Sequence, residues 1–250
     1  MELQGIGALV TGAASGLGRA SAQALAQAGA TVVASDLAAA LEAAELPPEI
    51  RRVAADVTDP GAVRAAAEAA AEVAPLRVAV SCAGVGLPGR LLPRGREPKL
   101  EAMHREVQVN LLGTMHLLLA AARVMSEQEL AGEERGLIVM TASAAAFEGQ
   151  IGQLGYSASK GGVAAMTLPA ARELAAHQIR VVSIAPGIFE TPMLGSLPEQ
   201  ARRSLAAQVP HPSRLGRPQE FGEAVLSVAR MPLLNGTVLR LDGALRMGPG

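Results

Sequence analysis

Short runs rich in valine, isoleucine and leucine alternate with longer alanine-rich stretches along nearly the whole of this 250-residue chain, and that alternation leaves few folds open. The runs GALVTG (7–12), TVVASD (31–36), RRVAAD (51–56), RVAVSC (77–82), GLIVMTAS (136–143), IRVVSIAP (179–186) and TVLRLDG (237–243) mostly lack polar alternation. Strands covered on both faces have that character. Helical patterns fill the gaps at 16–28, 60–73, 100–126, 153–176, 198–208 and 218–229. Strand then helix, repeated, predicts a doubly wound α/β fold: a seven-stranded parallel sheet with right-handed crossovers and helices on both faces. A single domain spanning 1–250 is expected, since α/β folds of this length are commonly undivided.

Aromatic residues make up only 2% of the chain, so the core must be built from Ala, Val, Leu, Ile and Met, which suits helices packed closely on a sheet. With 22 basic and 23 acidic residues the charge balances to -1, which gives no footprint for nucleic acid or an anionic membrane surface. A small-molecule partner is expected instead. One cysteine, Cys82, excludes an internal disulfide framework and a Cys-based metal site, and fits a reducing compartment. The histidines, His104, His116, His177 and His211, are scattered without ligand spacing, so no metal is expected. The first residues carry no basic region followed by a long apolar run, and no stretch of about 18 apolar residues is free of charge. A cytoplasmic protein is the reading.

TGAASGLG, residues 11–18, follows the first predicted strand and opens the first predicted helix. Gly12, Gly16 and Gly18 let the backbone turn sharply and approach a pyrophosphate, whose charge the free amides at a helix start attract. A glycine-rich tight turn without a ligand is the alternative. Asp36 ends the second strand about 20 residues later, where a carboxylate can bond a ribose diol and repel a 2′-phosphate. No basic residue stands at Leu37, and Ser15 occupies a position where a cation for that phosphate could stand, so NAD is favoured over NADP. Asp56 ends the third strand comparably and could bond an adenine amino group. Either aspartate could instead cap the helix that follows it.

The stretch YSASK, 156–160, holds the only tyrosine and one of only two lysines. On a helix, Tyr156 and Lys160 at i and i+4 share a face. Making a phenol a base near neutrality requires lowering its pKa from about 10 by roughly three units, or about 4 kcal/mol. An ammonium about 4 Å away, at an effective dielectric near 20, supplies about that much. A forked guanidinium cannot replace so compact a cation. Ser143 closes the fifth strand at its C-terminal end, where ligands of such sheets bind, and its hydroxyl can orient a carbonyl or alcohol oxygen. Without it, a solvated helix face would explain the pair.

TGAASGLG, CAG (82–84), VN (109–110), Ser143, YSASK and PG (186–187) together resemble the ordered motif set of the short-chain dehydrogenase/reductase family, over nearly the whole chain. The resemblance implies a Rossmann-like fold and a tetrad of Asn110, Ser143, Tyr156 and Lys160. In that family the tyrosine exchanges the proton of the alcohol and the serine positions its oxygen. The lysine lowers the tyrosine pKa and holds the nicotinamide ribose, and the asparagine holds a relay water. TASAAAFEGQIGQLGYSASKGG, IAPGIFETPML, SLPE, QVPHPSRLG and LNGTVLRLDGALRM are similar to the type 2 3-hydroxyacyl-CoA dehydrogenase branch of the family, linked to fatty acid metabolism. That implies reversible, NAD-linked oxidation of a 3-hydroxyacyl-CoA to the 3-ketoacyl-CoA. It also implies a homotetramer joined through the helices 100–126 and 153–176. NAD contacts carried over by the resemblance are Ser15, Leu17, Asp36, Asp56, Val57, Cys82, Ala83, Gly84, Tyr156, Lys160 and Phe189, with Gly12, Gly16, Gly18, Gly187 and Thr191 beside them.

One departure is Ser81, where the family carries an asparagine that steadies the central strand; a serine is expected to substitute only in part. Arg90, Arg94, Arg96 and Lys99 in the loop 86–99 could meet CoA phosphates or simply face solvent, with solvent favoured. Segment 187–208 suits a lid over the substrate, and Gln150 and Gln153 are weak candidates for substrate contacts. A dehydrogenase of another secondary alcohol, such as a steroid or small hydroxy acid, is the alternative activity. A catalytically idle NAD-binding protein is the third reading.

Overall fold

The computed structural model describes residues 1–195 and 198–249; Ser196 and Leu197, in the expected lid, and Gly250 lie outside the described residues. The first half runs β1 (Gly7–Thr11), α1 (Gly16–Gln27), β2 (Thr31–Asp36), α2 (Ala38–Glu42), β3 (Arg51–Ala54), α3 (Pro60–Val73) and β4 (Leu76–Ser81). Next come α4 (Leu100–Glu106), a π-helical turn (Val107–Leu112), α5 (Gly113–Ser126), β5 (Gly136–Thr141), α6 (Leu154–Leu174) and β6 (Ile179–Pro186). The chain closes with α7 (Pro192–Gly195), α8 (Glu199–Ala207), α9 (Pro218–Arg230) and β7 (Val238–Leu241). All seven strands pair in parallel, in the order β3-β2-β1-β4-β5-β6-β7, so the direction of winding reverses between β1 and β4. Ligand crevices of open α/β sheets form beyond the strand C-termini at such a reversal.

The doubly wound fold read from the sequence is therefore the observed one. Every residue of β1, β4, β5 and β6 is buried, whereas the edge strand β3 is largely exposed, which is why only its run carries two arginines. Small residues bring the helices close. A Cβ added at Gly222 of α9 would lie 2.8 Å from the Ala20 carbonyl of α1. On the opposite face Leu117, Ala121 and Met125 of α5 pack under the sheet with Val63 and Ala67 of α3.

The run predicted as one helix, 100–126, is continuous but loosens into the π-helical turn at its middle. Such turns concentrate at functional sites, and this one carries Asn110. By length and composition Leu100–Ser126 could cross a membrane, yet here Leu117, Ala121 and Met125 lie fully buried against the sheet. Buried Arg180 on β6 is held by Glu134 and by the carbonyls of Val228, Ala229, Met231 and Leu234, which join the start of β6 to the end of α9.

Candidate active site

At the C-terminal ends of the central strands lies a cavity of about 1130 Å³. All the residues that sequence reading assigned to NAD line it, as do Ser143, Tyr156 and Lys160; Asn110, fully buried, sits beneath its floor.

One end of the cavity is the glycine-rich turn. Gly12 has φ +69° and Gly16 φ +52°, values that side chains beyond Cβ-free glycine rarely adopt. A Cβ at Gly12 would strike the Cys82–Ala83 peptide, and one at Gly18 would strike the Gly12 carbonyl. Ser15 precedes α1 in an extended conformation and makes no capping bond, so its exposed hydroxyl and the first-turn amides open on the cleft. Asp36 does not cap α2: its Oδ2 accepts from Ala14 N–H at 3.0 Å and its Oδ1 from Leu37 N–H at 2.8 Å. That carboxylate is thereby fastened to the glycine-rich turn, with lone pairs left for a diol. Asp59, and not Asp56, caps α3. Asp56 accepts from the amide and hydroxyl of Thr58, bonds that hold its carboxyl below its usual pKa, and Arg105 approaches it at 3.7 Å.

A close glycine cradle at a helix start, with a carboxylate about 20 residues on, is the donor set for a dinucleotide pyrophosphate and ribose. The residues present fit a nicotinamide dinucleotide.

Tyr156 and Lys160 lie one turn apart on α6 and both line the cavity. Lys160 is 5% exposed and its ammonium donates to the Thr141 carbonyl at 2.8 Å; burial pulls its pKa down to about 8. A lowered Tyr156 pKa is the expectation, whereas the surroundings of the phenol act in the opposite direction. Burial raises its pKa, a hydrogen bond with Ser143 opposes that, and the nearby Glu106 carboxylate raises it further. The physical reason is that the phenolate would be short of solvent, while the lysine proton is already directed at a carbonyl. Ser143 Oγ also accepts from Ala145 N–H at 3.1 Å, which fixes the hydroxyl at the end of β5.

The Asn110 side chain is held by three hydrogen bonds. Its Oδ1 accepts from Val85 N–H at 2.8 Å, and its Nδ2 donates to Val85 O at 2.9 Å and Ser159 Oγ at 3.1 Å. It pins the loop after β4 to the floor.

Ser81, where the family carries an asparagine, is buried at the end of β4. Its hydroxyl shares a 2.9 Å hydrogen bond with Thr114, which itself donates to Asn110 O, whereas Thr11, opposite Ser81 in register, keeps a buried hydroxyl without a partner among the described residues. Replacing Ser81 with Ala should therefore cost only about 1 kcal/mol, read as a small drop in the urea midpoint.

Arg90, Arg94, Arg96 and Lys99 are exposed and none lines the cavity; only Gly86, Leu87 and Pro88 of that loop do. From the expected lid Met193, Leu194 and Leu205 face the cleft, and Gln150 and Gln153 line it too. The Cys82 thiol, raised by burial to about 11, stays protonated there.

Two features escaped the sequence reading. Buried Glu106 lines the cavity. Met247 reaches it from the chain's last residues, which are tied to the loop before α6. Arg240 donates to both Glu148 oxygens and to Asp242, and Ile151 N–H donates to Pro249 O at 2.8 Å. Glu106 and Asn110 at i, i+4 were the available signal for the first, and nothing local signals the second.

A parallel sheet with this switch point, glycine turn and Ser-Tyr-Lys group defines a Rossmann-type nucleotide-binding oxidoreductase. The family model described as short chain dehydrogenase matches residues 7–202, and the chain belongs to that family. It is 46% identical to the 3-hydroxyacyl-CoA dehydrogenase type-2 of Homo sapiens, over 99% of this chain and 98% of that protein. It is 35% identical to a 3-oxoacyl-acyl-carrier-protein reductase of Thermotoga maritima, over 98% and 99%. A crystal structure of 3-hydroxyacyl-CoA dehydrogenase type-2 from Mycobacterium avium superposes with a TM-score of 0.91 at 38% identity, covering 100% of both chains.

Proposed function

We propose that this protein oxidises a 3-hydroxyacyl-CoA to the 3-ketoacyl-CoA, reversibly and with NAD. The observation that carries the reading is that Ser143, Tyr156 and Lys160 meet on the wall of a cleft whose far end is the glycine turn with Asp36. The full-length likeness to the dehydrogenases named above supports the substrate.

NAD, when bound, would supply the hydride acceptor. Gly12, Gly16 and Gly18 would admit its pyrophosphate, Asp36 its ribose diol, and Lys160 would donate to the second ribose. Gly187, Phe189 and Thr191 form the cleft wall on the β6 side. Ser143 would hold the substrate oxygen by donating to it, and Tyr156 would take the hydroxyl proton as the alcohol becomes a ketone. Asn110 would serve by holding Val85 and the loop in place.

The same reading includes a homotetramer. Leu112, Met115 and Leu119 on the helical run and Leu154 and Leu168 on α6 expose apolar side chains, the surface that copies of the chain would cover.

The test is a panel followed by NADH formation: 3-hydroxybutyryl-CoA, free 3-hydroxybutyrate and a steroid alcohol. The thioester should be preferred by about 100-fold or more in kcat/KM, the scale that contacts beyond the reacting centre can provide. Rates indifferent to the CoA moiety would transfer the assignment to another secondary alcohol. NAD binding without turnover of any alcohol would leave an idle binding protein.

A further inference from the structure

We propose that Glu106 is a positioning residue for the reacting tyrosine: its buried carboxylate bonds the loop after β4, packs against the start of the helix that carries Tyr156, and places a negative charge beside the reacting group. This rests on the assignment of Tyr156 as the proton-transferring group.

The geometry comes first. Glu106 ends α4, directly before the π-helical turn, and is 2% exposed. Its Oε1 accepts from Leu87 N–H at 2.7 Å, and its Oε2 packs against the first turn of α6 at Gly155, next to Tyr156. Tyr156 stands in the first turn of α6, where N–H groups have no partner within the helix. Gln153, at the helix start, makes no side-chain capping bond. The carboxylate that faces this turn comes from a distant residue. Gly155 makes room for it: a Cβ there would lie 2.5 Å from Glu106 Oε2 and 2.9 Å from the Met103 Cα.

One turn further on, Asn110 grips Val85 by both its amide and carbonyl. Glu106 and Asn110, four residues apart, thus hold alternate residues of the loop 85–87, which passes close to the tyrosine ring. A Cβ at Gly86 would sit 3.9 Å from Tyr156 Cε2.

The charge has a clear neighbour. Burial raises the carboxyl's own pKa and the backbone amides of Leu87 and Tyr156 lower it, with no cation contributing. The other charged side chains of the cavity are Arg19, Asp36, Asp56, Arg105 and Lys160. Arg105 is turned to Asp56 at 3.7 Å, and Lys160 donates to Thr141 O. The negative charge of Glu106 accordingly acts on the phenol, adding to burial in favouring its protonated form.

The sign follows. Alcohol oxidation needs a tyrosine able to accept a proton, so its kcat/KM should rise as pH passes through the tyrosine ionisation. Removing a negative neighbour moves that rise to lower pH. Glu106→Gln should shift the acid limb downward by about half to one unit, with kcat at its plateau changed less than threefold or so. Glu106→Asp, which keeps the charge, should leave the limb where the wild type has it. A limb that stays put in Glu106→Gln, with only thermal stability lowered, would make Glu106 a purely structural contact and overturn the proposal. Should Glu106→Gln not fold, Glu106→Met carries the same pH test, and failure of both to fold also overturns it. Turnover that survives Tyr156→Phe would instead sink the assignment of Tyr156 itself, which keeps the two failures apart.

Discussion

Tyr156→Phe should abolish NADH formation from 3-hydroxybutyryl-CoA, by about 10³-fold or more, while NAD binding measured by calorimetry changes only a few-fold. The size follows from what a positioned acid or base contributes, about 10² to 10⁴, applied to a site where Tyr156 is the one phenol. The fold should not suffer, because phenylalanine refills the ring's volume and the lost hydroxyl bonds a serine, Ser143, at the cavity wall. Near-normal turnover in this variant would mean that another group moves the proton, and Glu106, the cavity carboxylate that acts on the phenol, would be the first to examine.

The second large effect concerns the nucleotide. Asp36 should repel a 2′-phosphate: two charges about 4 Å apart at an effective dielectric near 20 oppose each other by about 4 kcal/mol, of which a solvent-facing cleft retains part. Asp36→Ala should therefore lower the NAD to NADP ratio of kcat/KM by about 100-fold. Leu37 is 50% exposed, so adding Leu37→Arg disturbs no core and should carry the preference past parity toward NADP. Because Asp36 Oδ2 also accepts from Ala14 N–H, both variants should lose about 1 kcal/mol of stability. An unchanged cofactor ratio in a folded Asp36→Ala protein would show that this carboxylate does not face the ribose.

The strands and most helices were legible because each is written locally. Continuous apolar runs marked β1, β4, β5 and β6, and alanine-rich periods marked α1 and α3. The glycine turn and the Tyr156–Lys160 spacing were legible for the same reason, since each depends on neighbours within one turn or one loop. What depends on distant partners was hidden. The burial of Glu106 is decided by Leu87 and by the start of α6, and that of Arg180 by four carbonyls some fifty residues away. The surroundings of Tyr156 were hidden similarly: an i, i+4 lysine was visible in sequence, whereas the burial and the carboxylate that raise the phenol's pKa were not.

The junction of the chain's last residues with the loop before α6 separates two kinds of change. Met247 faces the cavity on a stretch anchored by Arg240, Glu148 and Asp242, about ninety positions from the tyrosine and lysine. Variation confined to that stretch can reshape what the cleft admits while the proton-moving side chains and the nucleotide cradle stay untouched.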